Sequence, residues 1–161
     1  MKSIKMALFY LLQWTWALSQ NIVGGIGFLL LRKKYRWERF HGSIVTYVDK
    51  KGFGGVSIGM FIFMSAGRNE GWAHDTRIHE LGHCVQSILL GPLYWVVVGL
   101  PSITWCNLPP IVRWRKEKDV SYYALYCEGW ANVWGAAWSG EDFVTEEMKK
   151  RGRYGKAWVK G

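Results

Sequence analysis

Two apolar stretches frame this chain, and the pattern between and after them sets out its elements. Residues 6–31 carry no charged side chain and are broken by Ser19-Gln20-Asn21 and by Gly24-Gly25. Residues 85–112 are likewise free of charge but are punctuated by Pro92, Pro101, Pro109 and Pro110. Each exceeds the roughly 20 apolar residues of a membrane-crossing helix, yet the breaks make neither a clean span. The first predicts an apolar helical segment, as a re-entrant hairpin or an amphipathic helix pair at a membrane interface. The second predicts the end of a helix followed by a buried or membrane-dipping loop. Between them, residues 43–48 alternate and are β-branched, and residues 56–64 alternate again. Residues 49–55 hold three glycines and would turn these two strands into a hairpin. After a connecting loop at 67–73, Ile78, Leu81, Val85, Ile88 and Leu89 recur at helical spacing. Asp75 and Thr76 are its candidate N-caps, and Gly91-Pro92 is its stop signal. A second helical stripe runs through residues 119–138, with Tyr122, Leu125, Tyr126, Trp130, Val133 and Trp134. Strands followed by helices predict an α+β fold.

The first of these helices carries the sequence's chemistry. His79-Glu80-Leu81-Gly82-His83 reads H-E-x-x-H, and residues four apart share a helical face, so both imidazoles can aim at one point. Two imidazoles are half of a tetrahedral zinc site, and Glu80 between them is placed to take a proton from water at the metal. A catalytic site needs a third protein ligand. Glu128 lies in an apolar, aromatic setting beside Tyr126, Cys127 and Trp130, where a carboxylate is costly unless paired or bound to a cation. Asn132, four residues on, shares its face and can hydrogen-bond the free nitrogen of a ligating histidine. Other candidates are His41, His74, Cys84 and Cys127. His74 falls at or before the predicted helix start, and each cysteine neighbours a ligand in sequence and so points about 100° away from it. Both cysteines read as core thiols. The acids Glu141, Asp142, Glu146 and Glu147 read as a solvated loop or helix start.

The H-E-x-x-H motif with a glutamate on a later helix resembles the gluzincin branch of the zinc metallopeptidases. The pair Glu128-x-x-x-Asn132 is similar to that branch's Glu-x-x-x-Asp, with an amide in place of the orienting carboxylate. The strings His-Glu-x-Gly-His-x-x-Gln-Ser, Leu-Gly-Pro-Leu-Tyr and Glu-x-Trp-Ala-Asn also resemble a group of small uncharacterised bacterial proteins, over about residues 20–134. The first resemblance implies zincin-like helices around a zinc ion held by His79, His83 and Glu128, with Glu80 as general base. It also implies a strand lining the cleft, residues 56–64, on which an extended peptide substrate pairs. The expected activity is hydrolysis of an amide bond in a peptide or protein. Tyr122, Tyr123, Tyr126, Arg77 and His74 are candidates to stabilise the oxyanion. The alternative is a non-catalytic, membrane-associated metal-binding or interaction module.

Composition narrows the class. With 161 residues, half of them hydrophobic, the chain is long enough to close one core. Three parts are expected: an apolar helical segment at 1–35, a metal domain at 36–140 and a basic tail at 141–161. The net charge of +9 clusters at Arg32-Lys33-Lys34, at Arg113-Trp114-Arg115-Lys116 and at Lys149-Lys150-Arg151. The first two clusters follow apolar blocks, as at an anionic lipid surface. No nucleic-acid-binding motif accompanies them, so membrane association is expected and nucleic acid is not. A secretory leader ending at Ala17-Leu18-Ser19 would instead make the protein secreted, and a fully buried apolar segment would make it cytoplasmic. Three cysteines form no disulfide framework.

Overall fold

A computed structural model describes residues 2–143 of the chain. Residues 144–161, including the basic run and Glu146 and Glu147, lie outside the described part. Among the described residues the fold is α+β: six α-helices around a four-stranded mixed sheet, beginning with an N-terminal helix. Helices α1 (Lys2–Trp14) and α2 (Leu18–Leu31) come first. Strands β1 (Trp37–Phe40), β2 (Ser43–Val48), β3 (Gly55–Ile58) and β4 (Phe61–Ser65) follow, in the spatial order β1-β2-β4-β3. Then come α3 (Glu70–Leu90), α4 (Leu100–Asn107), α5 (Pro109–Glu117) and α6 (Tyr126–Ser139).

The sheet departs from the expected single hairpin. Residues 56–64 do not form one strand, because Gly59 takes a positive φ of 64° and the chain reverses at Gly59-Met60. Asn21 holds this turn from outside, its Oδ1 accepting a hydrogen bond of 2.8 Å from the Met60 amide. β4 thus returns antiparallel to β3 and lies parallel to β2, and the stretch 49–54 carries the chain past β4 to the far edge. β1, which the alternation did not reveal, pairs with β2 across His41-Gly42, both at positive φ. Such a turn matches the right-handed twist of a two-residue hairpin.

Helix α3 is the axis of the molecule. It begins earlier than its sequence pattern predicts: Asn69, not Asp75 or Thr76, caps it by accepting from the Trp72 amide at 2.8 Å. The loop expected at 67–73 is therefore half helix. Every residue of α3 from Ile78 to Ile88 is buried, so the helix is covered on all sides rather than on one stripe. Leu81, Cys84 and Ile88 join Phe9, Val45 and the β4 residues 61–64 in the main core. The stretch after α3 is helical too, where a loop was expected. A 3-10 turn at Gly91–Leu93 and a π-helical turn at Trp95–Gly99 lead into α4. Pro101 lies where the π-helical turn passes into α4, whereas Pro109 and Pro110 open α5, where a missing N–H costs nothing.

Candidate metal centre

The centre is built where α3 and α6 cross. Two glycines make the crossing unusually close. A Cβ on Gly82 would fall 1.8 Å from the Ala131 carbonyl oxygen, and one on Gly135 would fall 1.9 Å from that of Ile78. Backbone therefore lies on backbone in both directions, and the residues one step away on each helix face each other at short range. These are His79 and His83 on α3, and Glu128 and Asn132 on α6. α6 starts only at Tyr126, after a 3-10 turn at Tyr122–Ala124, so Glu128 sits in its first turn.

His79, His83 and Glu128 are all buried, and one donor atom from each lies within 4.8 Å of the other two. Glu128 Oε2 is 3.1 Å from His79 Nε2 and 3.4 Å from His83 Nε2. The other ring nitrogens face amide oxygens: His79 Nδ1 lies 2.6 Å from Asn132 Oδ1, and His83 Nδ1 lies 2.6 Å from Gln86 Oε1. Gln86 is fixed in turn by donating to the Cys127 carbonyl at 2.8 Å, so its oxygen must face the histidine. Each neutral imidazole is thereby locked with its proton on Nδ1 and its lone pair on Nε2. Two lone pairs and a carboxylate oxygen then point at one another in a buried space. That arrangement is repulsive unless a cation or a proton lies among them. A metal held about 2.1 Å from such donors in a tetrahedron separates them by about 3.4 Å. The observed 3.1 and 3.4 Å match that spacing, and the group can hold a metal ion.

Without metal, protons take the cation's part. Burial opposes the charged form of His83, but the Glu128 carboxylate beside it outweighs burial and raises His83 to about 9. Burial would likewise raise Glu128, yet the charge of His83 and the hydrogen bonds from both histidines hold it well below the carboxylate range.

Glu80 is buried beside this group and faces the sheet. Its Oε2 accepts a hydrogen bond of 2.9 Å from Ser57 Oγ on β3. Its Oε1 occupies space that a side chain at residue 55 would fill, since a Cβ on Gly55 would lie 2.5 Å away. β3 is an outer strand of the sheet, with β4 on one side only and with Gly55 and Val56 exposed. Of the stretch expected to pair with substrate, residues 56–58 thus lie on an edge strand against Glu80, while β4 is interior.

The other sequence candidates separate cleanly. The rings of Tyr122 and Tyr123 lie against His79, at centroid distances of 6.3 and 5.4 Å. Burial, with the charge of Glu128 next, pushes the pKa of the Tyr122 hydroxyl well up. Tyr126 donates to the Val97 carbonyl, and Arg77 is engaged by Glu38 at 3.0 Å, so both are occupied elsewhere. His41 and His74 are not ligands. They hold the two carboxylate oxygens of Glu141, at 2.6 and 2.9 Å, so Glu141 is a clasp rather than the solvated acid expected. Just beyond it, Phe143 is buried over Ile78 and beside the His79 ring. Cys84 and Cys127 are buried thiols, and burial pushes both up to about 12.

Sequence reasoning missed Gly82 and Gly135, whose role is purely tertiary, and Ser57 and Gly55, which act across the sheet. Gln86 had a usable signal, since it lies three residues from His83 on the same helical face. Models of known protein families, curated proteins and solved structures all give no match to this chain.

Proposed function

We propose that this protein is a zinc-dependent hydrolase that cleaves an amide bond of a peptide or protein, with Glu80 as general base. His79, His83 and Glu128 would hold the ion, and Asn132 and Gln86 would orient the two imidazoles. The observation that carries the reading is the pairing of a three-donor group with a fourth, non-ligating carboxylate. A purely structural site closes with a fourth protein ligand and has no use for Glu80 held beside it by Ser57. Bound zinc supplies Lewis acidity, lowering the pKa of a coordinated water toward neutrality and polarising the scissile carbonyl.

The chain's own groups do the rest. Glu80, steadied at Oε2 by Ser57, takes the proton of the attacking water on its other oxygen and returns it to the leaving amine. The Tyr122 hydroxyl keeps its proton, because burial raises its pKa, and we assign it as the donor to a developing oxyanion. An extended substrate pairs with the outer edge of β3, which brings its backbone past Glu80.

The test is metal analysis of the purified chain together with a chelator-sensitive cleavage assay on a mixed peptide library. Glu80→Gln should keep one zinc per chain and lose turnover by roughly 10²–10⁴-fold, the usual contribution of a general base. Undiminished cleavage by that variant overturns the assignment of Glu80. Zinc bound by the wild type with no cleavage would leave the protein a metal-holding module instead.

A further inference from the structure

We propose that the outward faces of α1, α2 and residues 89–103 form one surface that seats the protein on an anionic lipid bilayer, inserted into a single leaflet. The observation is an inversion of polarity. In a water-facing helix the apolar stripe turns inward and the polar residues outward. On α1 the outward stripe is Ile4, Leu8, Leu11 and Trp14, at helical spacing, with Ile4 75% exposed. On α2 it is Leu18, Ile22, Ile26, Leu29 and Leu30, with Leu30 76% exposed.

The amide side chains of these helices point inward, while Ser3, Lys5 and Ser19 stay exposed. Gln13, Gln20 and Asn21 are fully buried. Gln13 donates to the Cys84 carbonyl at 3.0 Å, Gln20 to the Gly91 carbonyl at 2.6 Å and Asn21 to the Gln13 carbonyl at 2.5 Å. On the same inner side, Gly24 and Gly27 let α2 lie directly on Phe61 and Phe63. Apolar outside, with satisfied polar groups and small residues inside, is the pattern of helices whose solvent is lipid.

The third stripe follows the same rule. Leu89, Leu93, Val96, Leu100 and Ile103 recur at helical spacing through the end of α3, the π-helical turn and α4, and each is more than half exposed. It is continuous with the first two. The Trp16 ring lies over Gly91, and Trp95 donates to Ser19 at 3.1 Å, so the α1–α2 turn abuts the start of this segment.

Depth and charge choose the occupant. Among the described residues no single helix is long and apolar enough to cross a bilayer. α1 and α2 have 13 and 14 residues, about 20 Å each, too short to cross a roughly 30 Å hydrocarbon core. Cations sit where the apolar stripes end. Arg32, Lys33 and Lys34 are exposed directly after α2. α5 leaves the third stripe at a 69° bend and carries Arg113, Arg115 and Lys116, as an interfacial helix would. A second copy of this chain would bring the same cations face to face, which disfavours it as the occupant.

Co-sedimentation of the full chain with phosphatidylcholine vesicles, with and without phosphatidylserine, tests this surface independently of the metal centre. The wild type should pellet with both, more strongly with phosphatidylserine. Its tryptophan fluorescence should be quenched by lipids brominated on the acyl chain. Leu11→Glu, Leu29→Glu and Val96→Glu should lose vesicle binding while keeping the wild-type melting temperature, since these side chains touch little within the protein. Replacing Arg32, Lys33 and Lys34 with glutamine should weaken binding to phosphatidylserine vesicles about fivefold per residue. Failure of the wild type to pellet with either vesicle, or undiminished pelleting of the glutamate variants, overturns the proposal. So does a dimer in sedimentation velocity that becomes monomeric in those variants without any vesicle binding.

Discussion

Gly82→Ala should empty the metal centre without touching a ligand. The added methyl group would lie 1.8 Å from the Ala131 carbonyl oxygen and 2.5 Å from its carbon. Neither atom can rotate away, because both are backbone within α6. A carbon–oxygen contact of ordinary length is about 3.3 Å, so α3 and α6 must part by about 1.5 Å. That displacement carries the 3.1 Å separation of His79 Nε2 and Glu128 Oε2 toward about 4.6 Å, well outside the roughly 3.4 Å that a tetrahedral ion requires. Glu128 is then lost as a ligand, and the variant should retain well under half the metal of the wild type after dialysis. Overpacking of this kind costs about 1–3 kcal/mol. In a domain of this size that lowers the melting temperature by roughly 2–12 °C.

Two measurements on the folded protein separate the metal effect from simple instability. Metal per chain is read by elemental analysis, and the melting temperature is read with and without chelator. The wild type should lose stability on chelation, while Gly82→Ala should melt at nearly the same temperature either way. Gly25→Ala is the control. Its Cβ would meet the Phe61 ring at 3.5 Å, an ordinary contact, so metal content should stay at the wild-type value. A Gly82→Ala protein with one metal per chain and an unshifted melting temperature would refute the claim that close helix contact positions the ligands.

Ser57→Ala removes the hydrogen bond that steadies Glu80, one made to a charged group and worth about 1.5–3 kcal/mol. It should lower kcat roughly 10- to 100-fold with metal content and KM unchanged, and loss of metal would instead make Ser57 a structural residue. In the metal-free protein His83 is raised from 6.5 to about 9, where burial opposes the shift and Glu128 drives it. A basic group so raised contributes stability that is fully present below its unfolded value and lost as pH rises through its folded one. The melting temperature of chelator-treated protein should therefore fall between about pH 6.5 and 9, and Glu128→Gln should remove most of that slope. A flat profile would contradict the coupling of these two groups.

The candidate site was legible where chemistry is rare and local. Histidines four apart on one helix, and an acid among aromatic residues with an amide one turn later, are costly arrangements that leave few other readings. What brings the two helices together was not legible. Gly82 and Gly135 look like weak points in a helix until the opposing backbone is in place, because a missing side chain carries no signal of what fills its space. The sheet failed for a related reason. Residues 56–64 alternate correctly for one strand, but the positive φ of Gly59, in a turn held by Asn21, makes them two. The early start of α3 was missed because periodicity marks the buried part of a helix, whereas Asn69 caps a first turn with little burial.

The proposed membrane surface and the candidate metal centre share structural parts, which would limit how a substrate arrives. α3 carries His79 and His83 in its middle and Leu89 at the start of the third apolar stripe. α4 presents Leu100 and Ile103 outward, while Trp105 donates to the Tyr122 carbonyl at 2.8 Å. Arg115 of α5 donates to the Trp105 carbonyl at 3.2 Å and lies over the rings of Trp105 and Tyr122. The segment proposed to enter lipid therefore runs directly into the residues, Trp105 and Arg115, that pack on Tyr122 beside His79. If residues 89–103 enter lipid as proposed, a substrate amide anchored to the bilayer would be met at a fixed height above the leaflet. Turnover of a lipid-anchored peptide should then exceed that of the same peptide free in solution when vesicles are present. In Val96→Glu that advantage should vanish, with cleavage of the free peptide unchanged. Equal rates on both peptides with the wild type would separate the two surfaces and leave the metal centre acting on soluble chains.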